Sequence, residues 1–407
     1  MSEGSAAIEL ERCRTNPEAL SESLPESQVP DGGYGWVVVS GCAVLTWWFV
    51  GLSYSWGVMQ AALVKQGLSS VSTLSFVGSL TTACISGLAL VNVKVIRYLG
   101  AQRTGLLGVS LLGVIAGVGT SLCFMVVSVI PGQYFSRKRG LANGIVYAAG
   151  GLGGAVTSFT IDSLIRRLGT AWAFHVLGLI TLATGIPAAW LIRERTSVRT
   201  PGFVDWSLFR DVRFITLFLA GAVGTFPLFV PPFFLPLYST SLGLSPSAGA
   251  GLVAGFNFSS ALGRLACGAA SDRIGPVNVL FLALLLSALS MLAIWPVSTT
   301  LAPLAFFVVI SGAANGGFFS TMPTVVGAVF GAARVGVAMG MIVTGWVGGY
   351  LMGAPIAGYL LSAYGGAQSS LSAYHPAMFY AGSMAMGAAS FVSLLRLRTD
   401  TSILARV

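Results

Sequence analysis

The sequence predicts an all-α, polytopic membrane protein, and three observations carry that prediction. Of its 407 residues, 55% are hydrophobic and only 9% are charged, against about 25% charged in a soluble domain. Several apolar stretches reach the ~20 residues needed to cross a bilayer. The cations cluster in short loops between those stretches, the pattern of loops kept on the cytosolic side. The formal charge of +9 is therefore no nucleic-acid signature. Most of the acids precede residue 34 (Glu3, Glu9, Glu11, Glu18, Glu22, Glu26 and Asp31), and no basic stripe with interleaved aromatics follows.

Residues 1–33 lack an apolar core and carry Pro, Ser and Glu, which predicts a disordered cytosolic tail and no signal peptide. The first span is expected from about Trp36 to Gln60. It is introduced by Asp31, Gly32, Gly33, Tyr34, Gly35 and Trp36, where glycines permit a sharp turn and the aromatics suit the headgroup layer. An ordinary interface anchor explains those residues equally well. The second span is expected from Leu74 to Val93, closed by Lys94, Arg97 and Arg103. Only 33 residues, Thr104 to Ser136, then separate two cationic loops. One crossing fits that length but puts the loops on opposite sides. Two crossings satisfy the charges but need about 40 helical residues and a turn. Spans at Leu141–Ile161 and Ala171–Ile192 follow. In the former, Gly150, Gly151, Gly153 and Gly154 allow very close helix contact.

From Arg193 to Arg213 the chain turns polar, predicting a flexible cytosolic linker between a bundle at 34–192 and a second at 214–398, with a tail at 399–407. The second half reads as six spans: Phe214–Tyr238, Ser247–Ala270, Val277–Val297, Ala302–Val326, Val335–Ala363 and Pro376–Leu395. Pro227, Pro231, Pro232 and Pro236 should break the first of these, which lipid tolerates only beside protein or a cavity. The cationic loops put both termini in the cytosol. Four of the five cysteines (Cys42, Cys84, Cys123, Cys267) lie in apolar stretches and Cys13 lies in the tail; with no CxxC, they read as small buried hydrophobes.

The candidate solute site centres on Arg264. It lies eight residues before Asp272 in the sequence, or about 12 Å deeper along a helix. A guanidinium at that depth costs at least ~2.5–3.5 kcal/mol unless it faces a bundle interior or a wet cavity. Asn257, Ser260, Arg264 and Gly268 form one face, while Ala261, Leu262 and Leu265 are apolar. That face suits a cavity holding a solute's carboxylate or another electronegative group; a structural arginine capped by backbone carbonyls is the alternative. Tyr54, Asn143, Tyr147, Asn315, Trp346 and Tyr350 are further candidates, with Asn143/Tyr147 and Trp346/Tyr350 each sharing a face. Packing is the alternative for every one of them. Gly345, Gly349 and Gly353, like Gly312 and Gly316, read as packing ridges. Asp272 and Arg273 mark the water-facing end of the Arg264 helix, where simple positive-inside anchoring explains them. No carboxylate sits at mid-depth; Asp162, at a span end, is nearest. His175 and His375 are the only histidines. No Ser–His–acid set, metal-ligand spacing or phosphate loop is present, so neither metal nor cofactor is expected.

The stretch Asp31–Trp36 resembles one signature of the monocarboxylate transporter family, a branch of the major facilitator superfamily. Tyr134, Phe135, Ser136, Arg137, Lys138, Arg139, Gly140, Leu141, Ala142, Asn143 and Gly144 resemble its second signature. The likeness runs from Asp31 to about Arg398. The short central loop, with Pro201, Asp205, Trp206, Phe209 and Asp211, is similar to that of fungal members. The resemblance implies two bundles of the major facilitator type on a twelve-span plan, working by alternating access. It also implies that one span is lost or shortened within 104–136, by roughly 25 residues around Leu112–Ile115. Arg264 matches a charge carried on the eighth span of many members, and the loop of Asp272 and Arg273 resembles the superfamily's cytosolic signature, which implies that these charges clamp neighbouring helices and gate the rocking. The lactate carriers, however, have a Lys where this chain has Val58 and an acid where it has Ser260. Proton-coupled lactate uptake is therefore not expected. The expected solute is a bulky, weakly acidic or aromatic metabolite, exported across the plasma membrane with or without a proton. Uptake of monocarboxylates or a vitamin, and a non-transporting sensor or defective carrier, are the rival readings. The sequence leaves the oligomeric state open.

Overall fold

The structure, a computed structural model, describes residues 31–66, 71–112, 116–195, 204–365 and 370–399. Among these the regular structure is entirely helical. The expectations for most of the N-terminal tail, for 196–203 of the linker and for 400–407 lie outside the described residues, as do the side chains of Val58 and Asp162.

In the first half, α1 (Tyr34–Lys65) is followed by α2 (Val71–Gly87) and α3 (Ala89–Leu99). The second span is therefore not one helix: its Leu80–Gly87 and Ala89–Leu99 parts meet at 59°. Next come α4 (Ala101–Leu112), α5 (Ala116–Val129) and the single turn α6 (Pro131–Tyr134). α7 (Arg139–Leu191) is two spans joined at Gly169, whose φ of 84° only glycine adopts cheaply.

The segment expected to be short is a hairpin. Gly100 lies beside Glu194, and the Tyr134 hydroxyl donates to the Arg193 carbonyl at 2.9 Å. Both ends of 100–134 thus meet the same stretch of chain, so the segment goes in and comes back. α4 has 12 residues, about 18 Å of rise, and falls short of the ~30 Å hydrocarbon core, while α5 continued through α6 gives an apolar stretch, Gly117–Tyr134, of 18 residues, about 27 Å. Small residues let the limbs touch: a Cβ on Gly108 would come within 2.9 Å of Cys123 Sγ, and one on Gly119 would collide with the Leu112 backbone.

The linker ends in structure rather than in slack. Asp205 caps a short 3-10 turn, Trp206–Arg210, by accepting from Ser207 N at 3.0 Å. Asp211 caps α8 (Val212–Gly224) by accepting from Arg213 N at 2.9 Å. The Arg213 guanidinium bonded to Asp211 holds that carboxyl below the usual carboxylate range. Then come α9 (Val230–Ser241), α10 (Pro246–Ile274), α11 (Pro276–Leu289), α12 (Leu301–Gly345, broken at Gly331 with φ 72°), α13 (Val347–Ala363) and α14 (His375–Thr399). The proline-rich first span of this half is broken between α8 and α9, as expected. Gly275, at φ 94°, joins α10 to α11 as Gly100, at φ 80°, joins α3 to α4, a trace of the repeat between halves.

Among the described residues, eight helices are long and apolar enough to span a bilayer, and the bent α2–α3 pair makes a ninth. The segments that fail this test are informative: α4 is short, α8–α9 is broken, and α10 carries Arg264, Asp272 and Arg273. α7 and α10 form the seam between halves. A Cβ on Gly144 would sit 2.8 Å from the Arg264 carbonyl oxygen, and one on Gly151 would sit 2.9 Å from the Ala261 Cβ. On α7's other face Gly150 and Gly153 receive Val50 and Trp47 of α1. Membrane helices associate through such close packing rather than through hydrophobic burial.

Gly119→Leu should abolish the monodisperse folded peak in fluorescence-detected gel filtration, because its side chain meets backbone. Gly178→Leu, where a Cβ meets nothing within 4 Å, should leave that peak intact.

Candidate solute site and the seal beside it

Arg264 is 1% exposed and sits on α10 where the glycines bring α7 close. Its Nη1 donates to the Tyr147 carbonyl at 2.7 Å, and its Nη2 donates to the Tyr54 hydroxyl at 3.0 Å. The rings of Tyr54 and Phe319 lie 5.7 and 5.2 Å from Cζ, close enough for their faces to attract the cation. Nε is buried with no partner. Among the described residues no acid pairs with this charge. The guanidinium is thus neither turned to lipid nor sealed among carbonyls. It borders a cavity of about 40 Å³ walled by Tyr54, Thr82, Phe124, Phe229, Phe319 and Tyr350. That is room for roughly three waters, so a metabolite enters only when the walls part.

Of the predicted site residues, Arg264, Tyr54, Tyr147 and Tyr350 come together at this cavity. Tyr147 presents its carbonyl to Arg264, while its hydroxyl is 2.7 Å from Ser128 Oγ. The other candidates are buried but lie off the cavity wall. Asn143 donates to Thr324 Oγ1 at 2.9 Å. Asn315 donates to the Leu228 carbonyl at 2.9 Å, satisfying an acceptor at the break between α8 and α9. Trp346 stands behind the wall, its ring 6.2 Å from Phe124 and 6.1 Å from Tyr350. Ser260 lies against Gly316 of α12, and Asn257 is buried further along α10. The polar face read from sequence therefore serves mostly as packing surface, with Arg264 its one cavity-facing member.

Sequence reasoning missed the aromatic walls. Phe319 lies four residues beyond Asn315 on α12, and Phe229 follows Pro227 at a break that had to border a cavity; both signals were available. Phe124 and Thr82 carried none.

A second cluster lies at the Asp272 end of the seam. The Asp272 carboxylate accepts from Gly140 N at 2.7 Å and Leu141 N at 2.8 Å. A carboxylate on the second half thus caps a helix of the first, where free N–H groups and the helix dipole favour negative charge. Asp31, at φ 47°, caps the preceding turn, its Oδ1 accepting from Ser136 N and Arg137 N, both at 2.9 Å, and from Lys138 N at 3.2 Å. The two sequence signatures are therefore one unit. Gly32 and Gly33 carry the turn, and Trp36 packs edge-on against Phe135 at 4.8 Å. The Tyr34 hydroxyl reaches the Leu191 carbonyl at 2.8 Å, and a Cβ on Gly35 would press 3.0 Å from Tyr134 and Phe135. Arg139 is buried, donates to the Phe135 carbonyl at 3.1 Å, and lies against Gly327 of α12. Arg273, the other gating candidate, is exposed without a side-chain partner among the described residues. Those residues also hold no cluster of His, Cys, Asp and Glu suited to a metal.

Two sets of spanning helices pressed together around a buried cation, with a cavity at mid-seam and a cap at one end, define a secondary transporter. The sequence model described as Major Facilitator Superfamily matches residues 36–256 and again 217–405, and the chain belongs to that superfamily; it is a transporter, not an enzyme. The chain is 29% identical over 391 residues to the aspyridones efflux protein apdF of Emericella nidulans, covering 89% of this chain and 80% of the relative. It is 26% identical over 426 residues to the agnestins efflux protein AgnL12 of Paecilomyces divaricatus, covering 95% and 94%. Among solved structures it resembles the fucose transporter FucP in its outward conformation, with a TM-score of 0.68, 11% identity, and 89% and 99% coverage. It also resembles the human organic anion transporter MFSD10, with a TM-score of 0.65, 15% identity, and 90% and 99% coverage.

Asp272→Ala should release the α7 N-terminus. A lost cap costs about 0.5–2 kcal/mol, so backbone amides over 139–144 should exchange with deuterium about 2- to 30-fold faster. Unchanged exchange there would remove Asp272 from the seal.

Proposed function

We propose that the chain exports a bulky, weakly acidic organic metabolite by alternating access, with Arg264 holding the solute's electronegative end. One observation carries the reading. A buried guanidinium with only neutral acceptors, and with Nε left without a partner, borders a cavity with aromatic walls at the seam of the halves. An anionic or carbonyl-bearing solute supplies the missing acceptor, and the rings suit an aromatic or extended apolar body. The efflux function named for both fungal relatives supports this direction. The joined pair of signatures, Asp31–Trp36 and Tyr134–Gly144, supports a place in the monocarboxylate porter branch.

In this reading the bundles 34–192 and 214–398 rock about the seam. The Asp272 end faces the cytosol, because Arg137, Lys138, Arg193 and Arg273 gather there, in keeping with the positive-inside rule. Both termini are then cytosolic, the membrane is the plasma membrane, and the structure is the state closed to the cytosol. Arg264 has no acidic partner through which a proton could drive it. The proton travels on the acidic solute, or the solute moves down its own gradient.

The short α4–α5 hairpin favours a second reading, a sensor that binds solute without moving it. Untargeted metabolite profiles of cells and medium, with and without the gene, test the first. Expression should move at least one organic acid into the medium. Arg264→Ala, inserted at wild-type level, should lower that export at least about tenfold, the equivalent of one hydrogen bond to a charged group. Normal export by the variant overturns the site. Solute binding without flux in proteoliposomes establishes the sensor.

A further inference from the structure

A second cavity, of about 380 Å³, opens at the Asp272 end and is bounded by both halves. Ser136, Arg137 and Arg139 wall it from one side, and Arg213, Asp272 and Thr324 from the other. Its volume lies in the range of small-molecule sites, roughly an order of magnitude above that of the cavity at Arg264.

The charges on its wall are unevenly committed. Arg213 is paired with Asp211 at 2.9 Å. Asp272 spends both oxygens on the N–H groups of Gly140 and Leu141. Arg139 is buried and donates to the Phe135 carbonyl. Arg137 is exposed, and its guanidinium has no partner among the described residues, although its backbone is fixed by Asp31. The cavity is thus net positive, with one free cation at its rim and an apolar floor of Pro276, Val277, Ala328 and Val329. A small organic anion, with a carboxylate or enolate at one end and an apolar body, matches that surface.

The group closing the seal is itself a carboxylate on two backbone N–H donors, and that carboxylate, Asp272, lines this cavity. We infer that the cavity is the cytosolic loading site for the exported solute: Arg137 receives its anionic end, and that anion then competes with Asp272 for the N–H groups of Gly140 and Leu141. Loading and unlatching become one exchange, in which one carboxylate replaces another on the same donors. The inference rests on the export reading and its orientation.

Binding to the full chain in phosphatidylcholine nanodiscs, measured by calorimetry, tests it with 1-naphthoate and its neutral isostere 1-naphthamide. The Arg264→Ala background removes the central site. There, 1-naphthoate should still bind and 1-naphthamide should not. Adding Arg137→Gln, an exposed change that does not threaten folding, should weaken naphthoate binding about tenfold or more, the worth of one charge-assisted contact. Arg137→Lys should recover most of it. In Asp272→Ala, where the amides over 139–144 have lost their cap, saturating naphthoate should slow their deuterium exchange again, and should not do so once Arg137→Gln is present. Unchanged affinity in Arg137→Gln overturns the inference. So does displacement of naphthoate by equimolar inorganic phosphate, which would mark a general anion site. Export itself is judged separately, from the metabolite profiles of Arg264→Ala, so this site can fail while that reading stands.

Discussion

The seam between the halves turns on one arginine whose acceptors are both uncharged and both on the opposite half. Arg264 belongs to α10; the Tyr147 carbonyl and the Tyr54 hydroxyl that receive its protons belong to α7 and α1. Hydrogen bonds to a charged group contribute about 1.5–3 kcal/mol each, so these two hold the halves together without locking them. A carboxylate partner would bind the guanidinium more strongly and would be harder to replace. With neutral acceptors, an incoming anion offers a better partner than the one it displaces. Leaving Arg264 bare in hydrocarbon is costly, which disfavours an opening that leaves the cation with no acceptor at all.

That arrangement depends on how close α7 can come. Gly140, Gly144 and Gly151 face Gly268, Arg264 and Ala261 with no side chain between them. Only at such a separation does Arg264 reach a main-chain carbonyl that a bulkier seam would hide. The same contact brings Asp272 onto the α7 N-terminus. Cation and cap are two turns of α10 apart and both read the position of α7. Movement at either is therefore felt at the other through one stiff helix, with no need of a long relay.

Much of this was legible in the sequence because lipid punishes exceptions. Arg264 stood out as a charge at a depth where charges are rare, and it does line the cavity. The break at Pro227, and the packing role of the glycines, followed from backbone chemistry. Residues chosen only for being polar or aromatic on a helix divide: Tyr54, Tyr147 and Tyr350 line the cavity too, and the others do not. Asn143 and Asn315 satisfy neighbouring groups within the bundle, and Trp346 packs behind the wall, because a buried amide or ring finds a partner in any well-packed interior. The Asp272 cap was readable as a charged helix end, but its target, 131 to 132 residues earlier in the chain, was not. Asp31 likewise read as part of a turn rather than as the acceptor that binds the two signatures into one unit. Such pairings depend on which helix lies beside which, and helical periodicity does not encode that.

The same geometry bears on whether the short hairpin disables the carrier. If the missing length fell at the working level, the cavity would lack a wall. Yet α5 places Phe124 in that wall, sets Ser128 against the Tyr147 hydroxyl at 2.7 Å, and receives Asn92 on Ser121. These contacts lie between the centre of the bundle and the Asp272 end. With α4 short, the arginine, its acceptors and the cap are still in place. The short α4 thus costs the cavity none of the wall that α5 provides, and the Ser128 hydroxyl steadies the residue whose carbonyl holds Arg264.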